Sequence, residues 1–156
     1  MRAERPVGPA LSVGPADTAR LEIDSDLMAV RDGLQSLFAC ELLDGLSAES
    51  RGTAEIVLAE ALNNIVEHAY AERSGRIEVL MQRRDSDLRF DLIDRGRPMP
   101  GAEPPYGHLK ELLEVDDLPE GGFGWFLIRS LAHSLAYRRV DECNRLSFCV
   151  AAHYLP

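Results

Sequence analysis

The sequence is short of everything that would place it in a membrane or on a nucleic acid. No apolar run approaches the roughly 18 residues that a membrane span needs, and the N-terminus has no hydrophobic core of a signal peptide. Basic residues are outnumbered 17 to 26, which leaves a net charge of −9. Such a chain repels a phosphate backbone and an anionic bilayer, so neither is the expected partner. Cysteine is scarce too: Cys40, Cys143 and Cys149 show neither Cys-x-x-Cys nor zinc spacing, and each sits in an apolar context. They read as reduced, buried thiols of a cytoplasmic protein. Internal repeats and a second domain are also missing. A basic protein partner stays open, and so does a nucleotide, because helix N-termini and backbone amides bind phosphate whatever the global charge.

What is present suits one soluble domain. The 156 residues are 46% hydrophobic and 28% charged, enough to bury a core. Residues 1–18 hold three prolines and two Val-Gly-Pro repeats, which predicts a flexible leader before a domain over 19–156. A short strand is expected at 19–23. Asp24-Ser25-Asp26 supplies cap chemistry for a helix at 27–43, with Leu27, Val30, Leu34, Leu37 and Phe38 on one face. A second helix spans about 50–70, capped by Ser47 or Ser50. Alternation then predicts a hairpin: strand 76–83 with Ile77, Val79 and Met81 inward, and strand 88–94 with Leu88, Phe90 and Leu92 inward.

Regular periodicity fades over 95–122, which five prolines punctuate and where only 109–115 could form a short helix. A connection of this length inside one domain is usually a lid or binding loop. A helix at 125–135, with Phe126, Leu127, Leu131 and Leu135 apolar, precedes strands at 134–140 and 145–151 joined by Asp141-Glu142-Cys143-Asn144. Arg83-Arg84 and Arg138-Arg139 read as solvated strand-end charges, and His108 and His133 as surface or locally satisfied side chains. The order β-α-α-β-β-lid-α-β-β predicts an α+β sandwich, with helices on one face of a mixed, mostly antiparallel sheet.

The second helix carries the central signal. Glu60, Asn64 and His68 stack four residues apart on one face, apart from an apolar stripe on Leu58, Leu62, Ile65 and Ala69 widened by Ile56, Val57 and Val66. Two adjacent asparagines in mid-helix are poor helix formers and suggest a task beyond making helix. Asp94-x-Gly96-x-Pro98 ends a strand, and Gly121-Gly122-x-Gly124 opens a helix after the long loop. Taken singly, each is ordinary: a solvent face, a strand-end turn, a flexible loop. Together they are a set with chemistry. An aspartate can accept from an exocyclic amine with a glycine leaving room for the ring, an asparagine oxygen suits Mg²⁺, and glycines at a helix start admit phosphate. Neither a Walker loop nor a Rossmann fingerprint is present.

At this point the set resembles the GHKL-type ATPase fold of histidine kinases, DNA gyrase B and bacterial anti-sigma-factor serine kinases. It is most similar to the last, the stand-alone anti-sigma regulatory kinases, over about residues 20–151. Residues 60–70 resemble their N box, Asp94-Arg95-Gly96-Arg97-Pro98 the first glycine box, and Gly122-Phe123-Gly124-Trp125-Phe126-Leu127-Ile128 the second. The hairpin over 138–148 looks like their closing hairpin. The resemblance implies a two-layer α/β sandwich that binds ATP and Mg²⁺. Asn64 would ligate the metal and Glu60 would be the catalytic carboxylate. Asp94 would read the adenine amine beside Gly96, and Gly122 and Gly124 would line the phosphate end. His68, Pro98 and Phe123 fall within the boxes as nucleotide contacts, with local packing the other reading for His68. The family's acceptor is a serine of a STAS-domain anti-anti-sigma protein that competes with sigma factor for the kinase, and a homodimer is expected. Trp125 stands where the family has a smaller apolar residue, and Lys110 is the only lysine of the lid. The rival readings are a non-catalytic anti-sigma binding module and a detached histidine-kinase catalytic domain.

Overall fold

Period-two alternation places Ile77, Val79 and Met81 of one strand, and Leu88, Phe90 and Leu92 of the next, on a single face where all six are essentially inaccessible. The computed structural model describes residues 8–105 and 122–156. Its strands are β1 (Ala10–Gly14), β2 (Thr18–Asp24), β3 (Arg76–Arg83), β4 (Asp87–Asp94), β5 (His133–Val140) and β6 (Cys143–Ala151). They form one open sheet in the order β1-β2-β3-β4-β6-β5, and each of these pairings is antiparallel. The described residues contain three α-helices, α1 (Leu27–Phe38), α2 (Ala48–Asn64) and α3 (Gly122–Leu131). They cover the apolar face of the sheet, so the layering is the expected α+β sandwich. No helix among the described residues is long and apolar enough to cross a membrane.

Helix α2 is the centre of the helical layer, packed between α1 and α3. Its neighbours on several sides explain a burial pattern broader than one stripe: Ala54, Val57, Leu58, Ala61 and Leu62 are all buried. Ile56, expected in the stripe, is instead 46% exposed. Ser47 caps the helix by accepting from the Ser50 amide at 3.2 Å, while buried Ser50 accepts from the His153 amide. Beyond Asn64 the helix widens to a π turn over Ile65–Ala69, closed by the Tyr70 amide on the Ile65 carbonyl. Single π turns are rare and concentrate at functional sites.

Four boundaries differ from expectation, each for a local reason. Residues 10–14, expected in a flexible leader, form edge strand β1 on β2, turned by residues 15–17 with Ala16 and Asp17 in the left-handed region. β1 is mostly exposed on both faces, so backbone pairing holds it and no alternation betrays it. Asp26 caps α1 as expected, but the helix ends at Phe38 and residues 41–43 are a separate 3₁₀ turn rather than its continuation to 43. Helix α3 ends at Leu131, short of 135. Its buried residues are Gly124, Trp125 and Ile128, with Phe126 and Leu127 half-buried and Leu131 exposed. The last hairpin turns on Asp141 and Glu142, both left-handed, so Cys143 and Asn144 belong to β6 instead of the loop. The short helix expected at 109–115, with most of the lid, lies outside the described residues.

The helix-free face of the sheet carries a charge lattice. Asp91 accepts from Arg89 on its own strand, and from Arg145 and Ser147 on β6. Burial raises the Asp91 carboxyl, but these partners outweigh it and hold the group below its ordinary 3.8. A depressed carboxylate contributes stability above its unfolded value and loses it as pH falls through the folded one. Asp91→Asn is therefore expected to cost about 1–2 kcal/mol at pH 7, the low end for charged hydrogen bonds because both guanidiniums face solvent. Urea unfolding of wild type and variant should show that difference shrinking once the pH drops below 3.8.

Candidate functional site

The inward phase of β4 runs Leu88, Phe90, Leu92 and then Asp94, a carboxylate where a fourth apolar side chain would fit. The inward phase of β6 runs Val150, Phe148, Leu146 and then Asn144, which pairs directly with Asp94. Both polar groups are buried, and they bond each other. Asn144 Nδ2 donates to Asp94 Oδ1 at 2.8 Å and to the Gly96 and Arg97 carbonyls, while its Oδ1 accepts from the Tyr137 hydroxyl and from Arg139. The Gly96 amide donates to the same Asp94 Oδ1 at 2.8 Å. Every hydrogen bond the Asp94 carboxylate accepts among the described residues falls on Oδ1, so Oδ2 is left for something else. Burial pushes this carboxyl above its usual value, against the pull of Asn144, the Gly96 amide and the Arg139 charge.

The turn after Asp94 is locked to the π turn after Asn64. Arg97 donates its amide to the Ala69 carbonyl at 2.9 Å. A Cβ on Gly96 would lie 2.4 Å from that same oxygen, so only glycine lets the two backbones touch. Between these turns, β5 and α3 lies a cavity of about 540 Å³. Asn64, His68, Asp94, Met99, Trp125 and Tyr137 are among its lining residues. A groove of about 780 Å³ between α1 and α2 is larger, but it gathers no buried carboxylate or amide. Chemistry, not size, selects the smaller cavity.

The expected site residues divide in two. Asn64, His68, Asp94 and Pro98 line the cavity, with His68 and Pro98 exposed at its edge, and Gly96 is buried beside Asp94. Glu60, Phe123 and Gly124 do not line it, and Gly122 opens α3. Glu60 sits one turn back on α2 against α3, where a Cβ on Gly124 would fall 2.7 Å from its Oε2 and 3.3 Å from Asn64 Nδ2. Gly124 thus lets α3 rest its backbone on the Glu60–Asn64 pair, while Phe123 is 42% exposed. Trp125 is both core and cavity wall.

Asn64 supplies the test of whether a metal fits. Its residue is 7% exposed, and its side-chain Nδ2 is buried with no hydrogen-bond partner among the described residues. An orphaned buried amide costs about 1–3 kcal/mol, a cost retained where a ligand later meets it. The two ends of an amide exchange by a flip, so Asn64 can offer the hard oxygen that Mg²⁺ takes. The donor set fits.

The sequence reading missed Asn144, Tyr137 and Arg139. Tyr137 accepts from the Met99 amide and donates to Asn144, and Arg139 reaches the Gly96 carbonyl, so neither Arg139 nor the hairpin is merely solvated. The signal for Asn144 was available: a polar residue on the inward phase of a strand that is otherwise Leu146, Phe148 and Val150.

An open antiparallel sheet with three helices on one face, and a cavity where the central strands meet the second helix, is the α+β architecture of GHKL-type ATPases. The chain belongs to the histidine kinase-like ATPase domain family, whose profile matches residues 22–150. It is 30% identical over 143 residues to the serine/threonine-protein kinase BtrW of Bordetella bronchiseptica, covering 89% of this chain and 96% of that one. It is also 34% identical over 93 residues to the serine-protein kinase RsbW of Oceanobacillus iheyensis, and 31% over 91 residues to RsbW of Staphylococcus epidermidis. Each of those two matches covers 56% of this chain and 57% of the relative. The resemblance to the GHKL-type kinases is borne out.

Proposed function

We propose that this protein is an ATP- and Mg²⁺-dependent protein-serine kinase that phosphorylates a STAS-domain anti-anti-sigma partner and, when that partner is absent or phosphorylated, holds a sigma factor. The observation that carries the reading is that one 540 Å³ cavity is lined by two groups unsatisfied among the described residues, Asp94 through its Oδ2 and Asn64 through its side-chain amide. An adenine amine supplies the donor the first lacks. A metal–phosphate group supplies the partner the second lacks. The kinase names of the relatives support the transfer chemistry.

In this reading Asp94 Oδ2 accepts from the exocyclic amine, while Asn144 and the Gly96 amide fix its other oxygen. Met99, Trp125 and Leu146 give the base an apolar wall and keep water from it. Asn64 and the first amides of α3 hold the phosphate end, where free N–H groups and the helix dipole favour anions. Mg²⁺, when bound at Asn64, supplies neutralisation of phosphate charge. Glu60 orients the acceptor serine hydroxyl and takes its proton. A homodimer in the cytoplasm completes the proposal.

Calorimetry of ATP binding with and without Mg²⁺ tests the site. Wild type should bind about tenfold or more tightly with the metal, a difference of roughly 1.4 kcal/mol. Asn64→Ala should bind equally in both conditions and, having lost a buried orphan amide, melt no lower than wild type. Absence of ATP binding by wild type in Mg²⁺ overturns the reading.

A further inference from the structure

At the other end of the central strands, on the helix-free face, three metal-ligating side chains converge. Cys149 of β6 pairs directly with His133, the first residue of β5, and lies diagonal to Asp87, the first residue of β4. One ligand atom from each, carboxylate oxygen, imidazole nitrogen and thiol sulfur, lies within 4.8 Å of the other two. We propose that Asp87, His133 and Cys149 form a Zn²⁺ site, separate from the nucleotide cavity.

Several features of the cluster point to a ligand rather than to mutual packing. Among the described residues Asp87 Oδ1 is buried without a hydrogen-bond partner, and the Arg84 guanidinium stands off from it at 3.8 Å. His133 Nε2 faces the other Asp87 oxygen at 3.9 Å, too long for a hydrogen bond but right for two groups sharing an ion. The opposite ring nitrogen, Nδ1, contacts the Ser134 hydroxyl at 3.1 Å, the outer partner that metal-ligating histidines keep. A strand irregularity between His133 and Ala136, with Ser134 left-handed, turns the imidazole toward Cys149. Arg89, directly across from Cys149, is held away by Asp91.

Bonds of 2.0–2.3 Å in a tetrahedral site separate ligand atoms by about 3.5 Å. The cluster must therefore contract by roughly 1 Å, and His133, with a half-exposed side chain, can move that far. Mixed oxygen, nitrogen and sulfur ligands select zinc over magnesium or calcium. Binding forms the sulfur–metal bond and releases the Cys149 proton to solvent, and a water takes the fourth position. The ion ties the start of β5 to β4 and β6 just after α3 ends. Sequence spacing could not reveal it, because the ligands come from three strands.

The test is titration of metal-stripped full-length protein with Co²⁺, followed by absorption, and then displacement by Zn²⁺. One equivalent of Co²⁺ should produce a thiolate charge-transfer band, and Zn²⁺ should abolish it and raise the melting temperature. Cys149→Ser should lose the band while Cys40→Ser keeps it. His133→Ala, a surface change that leaves the core intact, should weaken Zn²⁺ binding by more than the roughly 10–100-fold that loss of an outer partner costs. A wild type without the band, or a His133→Ala variant that binds Zn²⁺ as wild type does, overturns the proposal.

Discussion

Glu60→Gln is expected to bind ATP as wild type does and to transfer phosphate to a serine about 10²–10⁴-fold more slowly, the range for loss of a positioned general base. The expectation rests on where Glu60 sits. It does not line the cavity, so the variant removes no contact to the base. Its Oε2 instead lies where a Gly124 side chain would be, beside Asn64 and at the start of α3. In the proposed mechanism this is the end of the site where the transferred group and the incoming hydroxyl would meet. Glutamine keeps the shape of the contact with Gly124 and loses only the proton-accepting charge. Single-turnover transfer from labelled ATP to a STAS-domain protein, with the acceptor serine replaced by alanine as control, measures the effect. Transfer unchanged in Glu60→Gln would make the carboxylate a packing group. Wild type that binds ATP and transfers nothing would leave a nucleotide-binding regulator.

The fold was legible because its elements obey simple periods. Inward triplets on β3 and β4 alternate cleanly, Asp26 and Ser47 carry cap chemistry, and the glycine boxes fall at element ends. The candidate site was legible only where a single residue type announces a task. Asp94 and Asn64 stand out because aspartate rarely ends a buried strand and asparagine rarely sits in a helix. Asn144 stood out less, since asparagine is a favoured turn residue and Asp141-Glu142-Cys143-Asn144 reads naturally as a loop. The left-handed conformations of Asp141 and Glu142 shorten that loop to two residues and carry Asn144 into the ladder opposite Asp94. A shift of two positions thus decides whether Asn144 is solvent-facing or the hub of the site. The Glu60 column divides for a different reason. Equal spacing on a helix says which residues share a face, but α3 covers the Glu60 turn of that face, and the cavity begins at Asn64 and continues along the π turn. Tertiary packing sets that division.

The contrast between two substitutions at Asp94 separates recognition from architecture. Asp94→Asn should lower ATP affinity about 100-fold or more, roughly 2.7 kcal/mol, while the protein stays folded. Oδ1, which accepts from the Gly96 amide and from Asn144, survives in the amide. Oδ2 becomes an NH₂ group, so a donor confronts the donor of the adenine amine, and a buried mismatched pair discriminates strongly. Folding should not suffer at neutral pH. Burial raises the wild-type carboxyl, so the folded state is penalised for carrying the charge as pH rises through the folded value, and a neutral amide escapes that penalty. Asp94→Ala removes both oxygens and strands the buried Gly96 amide, while Asn144 Nδ2 keeps the Gly96 and Arg97 carbonyls, and it should destabilise by about 1–3 kcal/mol. Inosine triphosphate, which presents an acceptor in place of the amine, should bind Asp94→Asn better than ATP does. Calorimetry with both nucleotides, beside thermal melts of both variants, measures the set. If Asp94→Asn binds ATP within a few-fold of wild type, Oδ2 does not read the base, and the cavity recognises its ligand through the phosphate end alone.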